Sequence, residues 1–154
     1  MTLQQFSLLW MPLAAAGLLH AASPGKSAEY LGGTLPQLKA RSDGRLFVGH
    51  RDWLVFATRG QEIRIPYHQI NQLEYGQKVG RRIVTAVVVS PLFLLSKSRA
   101  HFLTVGYQDD EGRQQALVFR VPKNDIRPLL VSLEARTGLR VEYQDEEARK
   151  AGKG

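Results

Sequence analysis

Gly44–Ile70 reads GRLFVGHRDWLVFATRGQEIRIPYHQI, and its pattern decides the fold. Leu46, then Leu54-Val55-Phe56, then Ile65-Pro66-Tyr67 and Ile70 place apolar side chains on three short strands and a bend. Arg45–Val48 and Trp53–Thr58 are rich in β-branched and aromatic residues. Arg59-Gly60-Gln61 between the second and third strands suits a short hairpin connection. In Glu62–Tyr67 polar and apolar residues alternate, so Ile63, Ile65 and Tyr67 share one face. Pro66 has no N–H for a ladder, which puts this strand at a sheet edge or ends it there. Upstream, Ser42-Asp43-Gly44 is a turn signal, because Asp bonds its own backbone and Gly permits positive φ.

Downstream, Gln69–Gly76 continues extended through Ile70, Leu73 and Tyr75. His101–Tyr107 and Gln115–Val121 read as a hairpin around the polar turn Gln108-Asp109-Asp110-Glu111-Gly112, with Leu117, Phe119 and Val121 on one face. A helix follows, with Asp125 as its cap and Pro128 in its first turn. Ile126, Leu129, Leu130, Leu133 and Thr137 form its buried stripe, and Gly138 ends it. Leu139–Tyr143 is a short extended piece. The fold class expected is mainly β with one C-terminal α-helix, an antiparallel barrel or sandwich capped by that helix.

The domain organisation follows. Residues 1–22 hold no Asp, Glu, Lys or Arg, and Phe6–Leu19 is mainly apolar, which suits the core of a secretory signal better than a membrane span. The leading MTLQQ lacks a basic residue and His20 sits at the outer cleavage position, so an uncleaved anchor or a misplaced start stays open. Residues 23–32 read as a small-residue linker, 33–143 as the domain, and 144–154 as a charged, fraying tail. Export or attachment to a cell envelope, in a bacterium, is the expectation.

The 154 residues allow one domain, and the net charge of +7 favours anionic partners such as headgroups, nucleic acid or acidic polymers. With no cysteine, disulfides, thiolate catalysis, Cys-based zinc sites and lipidation at Cys are excluded. His50, His68 and His101 fit no short-spaced metal motif. No serine lies in a G-x-S-x-G elbow, and Gly32-Gly33 and Gly76…Gly80 lack the context of a phosphate loop. Trp53, Tyr67, Tyr75 and Phe102 could stack bases, but strand-borne aromatics more often build a core. Glu74 and the 109–111 acidic turn read as structural. No enzyme, cofactor or metal is expected, and nucleic acid is not an expected partner.

One segment stands out against this framework. Ile83–Leu95, IVTAVVVSPLFLL, carries no charge and is flanked by Lys78, Arg81, Arg82, Lys97, Arg99 and His101. It is too short to cross a bilayer as one helix. It either packs on its own domain, seals a homodimer, or dips into a membrane while the basic flanks meet phosphates. The contact residues under the membrane or partner reading are Arg81, Arg82, Val88, Leu92, Phe93, Leu94, Lys97 and Arg99.

The Gly44-x-Leu46, Leu54-x-Phe56 and Ile65-Pro66-Tyr67-x-x-Ile70 spacing, with the helix after the last strand, resembles the pleckstrin-homology (PH)-like superfamily. Within it the nearest likeness is to the GRAM and bacterial PH-like domains, over roughly Gly33 to Tyr143. Leu73–Arg82 (LEYGQKVGRR), Lys97-x-Arg99-x-His101-Phe102-Leu103 and Leu133–Gly138 also look similar to a group of bacterial exported proteins without an established activity. The resemblance implies a barrel closed at one end by the helix. It also implies a binding module for headgroup, peptide or protein, without turnover. Phosphoinositide binding is not carried over, because the basic cluster flanks an inserted apolar segment and not the first-strand hairpin.

Overall fold

The computed structural model describes residues 24–77 and 100–153. The three strands of the opening stretch form as their pattern predicts. They are β2 (Ser42–Phe47), β3 (Trp53–Thr58) and β4 (Gln61–Pro66), and a single 3-10 turn, Tyr67–Gln69, makes the bend into β5 (Ile70–Gly76). Gly60, at φ 75°, turns the β3–β4 hairpin. The hairpin partners β6 (His101–Gln108) and β7 (Gln114–Val121) also form as expected, paired in register from His101↔Val121 to Gln108↔Gln114. With β1 (Lys26–Gly33) and β8 (Glu142–Tyr143), they make one eight-stranded sheet in the order β4-β3-β2-β1-β7-β6-β5-β8.

β4 is an edge strand, where Pro66, its last residue, costs no ladder bond. β8 is the other edge and runs parallel to β5, so the sheet is mixed. Of the expected antiparallel barrel or sandwich capped by a helix, the mainly β architecture with its C-terminal helix forms, but among the described residues the sheet is mixed and not closed into a barrel. It nevertheless curls hard. β3 and β7 stand three strands apart, about 14 Å in a flat sheet at about 4.8 Å per step. Yet the Phe56 and Phe119 rings lie 5.0 Å apart between centroids, and Tyr30 packs on both at 6.3 and 5.9 Å. The sheet folds over this aromatic cluster, and Leu46, Ile65, Leu73, Leu103 and Leu117 complete the core around it.

Helix α1 (Lys123–Thr137) covers the core with Ile126, Leu129, Leu130 and Leu133, all at most 2% exposed. It ends as predicted at Gly138, in left-handed geometry at φ 74°, whose N–H bonds the Glu134 carbonyl. Thr137 is half-buried and returns its hydroxyl to the Leu133 carbonyl at 2.7 Å.

Four expectations need correction. Pro122, not Asp125, is the residue before the first turn of α1. Asp125 lies inside that turn and pairs with Lys26 at 3.4 Å, and Pro128 falls at the sixth helical position, where it forfeits a bond to Asn124. Residues 42–44 belong to β2 and not to a turn, and Arg41 takes the positive φ of 64° just before it. Residues 26–32, read as linker, are strand β1, the centre of the sheet. The glycines flanking this span reflect crowding, since a Cβ on Gly33 would press on the Ala116 carbonyl oxygen and one on Gly25 would lie 2.7 Å from the Phe47 ring. The tail read as fraying forms a second helix, α2 (Glu146–Lys153), with Ala148 fully buried and Gly152 seated on Tyr143. Asp145 caps it by accepting the Ala148 N–H at 2.7 Å.

The sheet also buries part of its second face. Leu31 and Val118 are inaccessible and Phe102 is 7% exposed, with Ala100 and Ala116 packed beside them. Leu31 follows Tyr30 in β1 and so faces away from the main core, and the register of β1 on β7 shifts there, between Tyr30 and Gly32. The buried residues of α1 and α2 belong to the main core, so neither helix supplies the cover for this second cluster.

Candidate functional site

The end of the sheet where β5 stops and β6 starts is the region singled out by the sequence. Gly76 pairs with Phe102, so residue 77 and residue 100 leave and return at neighbouring points of one sheet end. The chosen contact residues Arg81, Arg82, Val88, Leu92, Phe93, Leu94, Lys97 and Arg99 lie outside the described residues, as does the 1–22 leader.

What roots that segment is described in full. Tyr75, on β5, is buried, and its hydroxyl is 2.5 Å from Nδ1 of His101, the first residue of β6. The two rings stack at 5.9 Å with 13° between planes, and Tyr143 of β8 meets Tyr75 edge-on at 5.9 Å. The Gln144 amide N–H bonds the Tyr75 carbonyl at 3.1 Å, and its side chain donates to buried Glu74 at 3.0 Å. β8 and α2 thus brace the last turn of β5. The sequence could not have announced this, because these contacts span about seventy positions.

The electrostatics are cationic. Partial burial, then the nearby charges of Lys123 and Arg127, lowers the pKa of His101 below its ordinary 6.5. Burial likewise raises the Tyr75 hydroxyl, with Arg127 opposing and Tyr143 and Asp145 assisting. Because folding depresses the His101 pKa, the unfolded chain takes up its proton first as pH falls. The neutral ring therefore contributes fully above pH 6.5, and stability declines below it until the folded form is also protonated. Urea midpoints at pH 7.5 and 5.5 are expected to fall with acid, and His101→Gln is expected to flatten the decline. An unchanged slope in His101→Gln would remove His101 from the account.

Beside these groups lies an open cleft of about 500 Å³ at the same sheet end. It is lined by Ser27 and Glu29 of β1, Asp43 of β2, His101, Arg120 of β7 and Lys123 of α1. Arg120 pairs with Glu29, whose side chain is only 11% exposed.

Elsewhere the candidate chemistry disperses. His50 sits in the β2–β3 connection and accepts the Asp52 N–H at 3.1 Å, and His68 is in the 3-10 turn. Among the described residues no group of His, Asp or Glu is placed to hold a metal ion. Tyr67, Tyr75 and Phe102 are buried and Trp53 is half-buried, so these aromatics are interior packing and not a stacking platform. The 109–111 turn is structural, as expected. Asp109 accepts the Glu111 and Arg113 backbone N–H groups and the Arg113 and Gln115 side chains. Partial desolvation pushes its carboxyl up, but those bonds and the Arg113 charge outweigh it and hold the group at about 2. No helix among the described residues is long and apolar enough to cross a membrane.

No protein-family model matches the chain, and no curated protein matches it either. The reading of function therefore rests on this geometry and on the sequence.

Proposed function

We propose that this protein is a non-enzymatic, PH-like binding module of the cell envelope that engages an anionic membrane surface through its β5–β6 end. One observation carries the reading. The described strands on either side of the apolar, basic-flanked sequence 78–99 end together at Gly76↔Phe102, where His101 lies near the cationic groups Lys123 and Arg127. An apolar run with basic residues on both sides in the sequence suits headgroup contact, where each basic residue near an anionic surface contributes about 1 kcal/mol. The PH-like part of the proposal draws on the sequence resemblance, together with antiparallel strands followed by a helix that covers their core.

The test is co-sedimentation of the full chain with phosphatidylglycerol vesicles at low salt. Wild type is expected in the pellet and is expected to be released at high salt, where surface charges are screened. Leu94→Asp and Lys123→Glu are each expected to shift protein to the supernatant. Wild type that stays in the supernatant overturns the reading. A dimer by light scattering at low concentration, dissociated by Val88→Asp, would instead assign the segment to a homodimer interface.

A further inference from the structure

Tyr30 is 1% exposed, its ring held by Phe56 and Phe119, yet its hydroxyl makes no hydrogen bond among the described residues. Buried polar groups are ordinarily bonded, so this one calls for a partner from outside the chain. The hydroxyl meets a pocket. Gly33 leaves room for it, since a Cβ there would lie 2.8 Å from the oxygen. Both residues line an open pocket of about 500 Å³ at the connection from β1 to β2, residues 34–41. Its walls are apolar, from Leu35, Pro36, Leu38 and Ala40. Thr34, the other polar side chain of the lining, is already engaged, because its hydroxyl accepts the Ala116 N–H at 3.0 Å. No charged side chain among the described residues lines the pocket. Backbone bonds hold the connection in place: Thr34 N–H to the Ala116 carbonyl at 3.0 Å, Leu38 N–H to the Leu35 carbonyl at 3.3 Å, and Arg41 N–H to the Tyr30 carbonyl at 2.7 Å. The pocket is therefore formed before anything enters it, which lowers the entropy lost on binding.

One free hydroxyl among apolar walls sets the chemistry of the ligand. A phenol O–H is a donor, and an uncharged oxygen acceptor satisfies it. Burial, with Tyr107 assisting, pushes the Tyr30 hydroxyl up to about 12, so it keeps its proton at ordinary pH, and the same burial disfavours a charged ligand. We infer that this pocket binds a small uncharged carbonyl compound with an alkyl body, its oxygen on the Tyr30 hydroxyl and its chain along Leu35, Pro36 and Leu38. The volume lies in the range of small-ligand sites, where an apolar lining with a few polar groups fixes orientation. A carboxylate of the same length would lose its hydration and find no cation in the lining. The lining comes from β1 and the β1–β2 connection, so the pocket is independent of membrane contact at the β5–β6 end.

The test titrates the full chain with methyl pentyl ketone, heptanoate and acetone, and follows backbone amide NMR shifts. Methyl pentyl ketone is expected to bind with shifts centred on residues 30–41. Heptanoate is expected to bind about tenfold more weakly or worse, because its charge must be desolvated. Acetone, which keeps the carbonyl and lacks most of the alkyl body, is expected to bind about tenfold more weakly or worse. Tyr30→Phe keeps the ring and removes the donor. It is expected to weaken methyl pentyl ketone about three- to tenfold, the usual worth of one neutral hydrogen bond. Its thermal midpoint is expected to stay level or rise, because the hydroxyl it removes has no partner in the protein. Heptanoate binding as tightly as methyl pentyl ketone, shifts centred away from residues 30–41, or no response to methyl pentyl ketone overturns the inference. So does full binding by Tyr30→Phe. A lowered thermal midpoint in Tyr30→Phe also overturns it, since the hydroxyl would then serve the fold and not a ligand. The ranking of the three probes on the unaltered chain decides the matter even if Tyr30→Phe fails to fold.

Discussion

Phe119→Ala is expected to destabilise the protein by about 3–5 kcal/mol, the range for truncating a fully buried aromatic. Phe119 is inaccessible and touches both other members of the aromatic cluster, Phe56 at 5.0 Å and Tyr30 at 5.9 Å. The Phe56 contact joins strands that the ladder itself keeps three steps apart, so the void would open where the sheet folds over. Backbone pairing on either side would hold the walls in place and limit collapse into the cavity. Against a usual total of about 5–15 kcal/mol, the loss removes a large part of the stability. Urea unfolding followed by tryptophan fluorescence measures it as a lower midpoint with an unchanged slope. Val131→Ala, at a position 64% exposed on α1, serves as the comparison and is expected to move the midpoint by no more than about 0.5 kcal/mol. A Phe119→Ala loss under about 1 kcal/mol, the centre of the distribution for ordinary substitutions, would mean that the cluster does not carry the curl.

Gly33→Ala is expected to cost about 1–3 kcal/mol, the penalty of forcing extra volume into a packed site. The added methyl would press on the Ala116 carbonyl oxygen and lie 3.2 Å from the Leu117 Cα and 2.8 Å from the Tyr30 hydroxyl. Two of those three neighbours are β7 backbone and cannot swing aside. β1 would have to move from β7, and among the described residues that pairing is the only ladder joining the β2–β4 half of the sheet to the β5–β8 half. Gly60→Ala is the informative contrast, because nothing lies within 4 Å and only the positive φ of 75° opposes the change. Thermal unfolding of the two variants separates crowding from backbone strain. Equal and small losses at both positions would sink the crowding argument.

Local pattern made the central strands legible. Trp53–Thr58 forms over the bounds its composition predicts, and the His101 and Gln115 strands pair as a hairpin because their turn is polar and their faces alternate. Pro66 marked both an edge and a strand end, since a missing N–H cannot serve a central ladder. The helix stripe and its stop at Gly138 followed from spacing and from a residue that tolerates positive φ. Its start did not, because Asp125 has the chemistry of a cap but is engaged by Lys26 from β1, a long-range partner. Small residues misled in the same way at both ends of the domain. Gly25, Ala148 and Gly152 read as linker and tail, whereas in the fold they are small because strands and rings press on them.

For the candidate site, the sequence supplied the basic-flanked apolar run and little else. The cleft could not be read, since Glu29, Asp43, His101, Arg120 and Lys123 are scattered over four strands and a helix start. Each is an ordinary surface residue in its own segment. Cross-strand register alone puts Asp43 and Arg120 on either side of Glu29.

By itself, then, the sequence determined the central strands and the covering helix, which depend on neighbours a few positions away, and its basic charge and lack of thiol chemistry, which composition fixes. The tertiary structure alone decided that, among the described residues, the sheet curls without closing, that β8 joins it in parallel and that residues 146–153 are a packed helix. It also decided that charges from five elements share one cleft. Those outcomes depend on contacts between distant segments, and the energy of such contacts is set by burial and register, which no local pattern encodes.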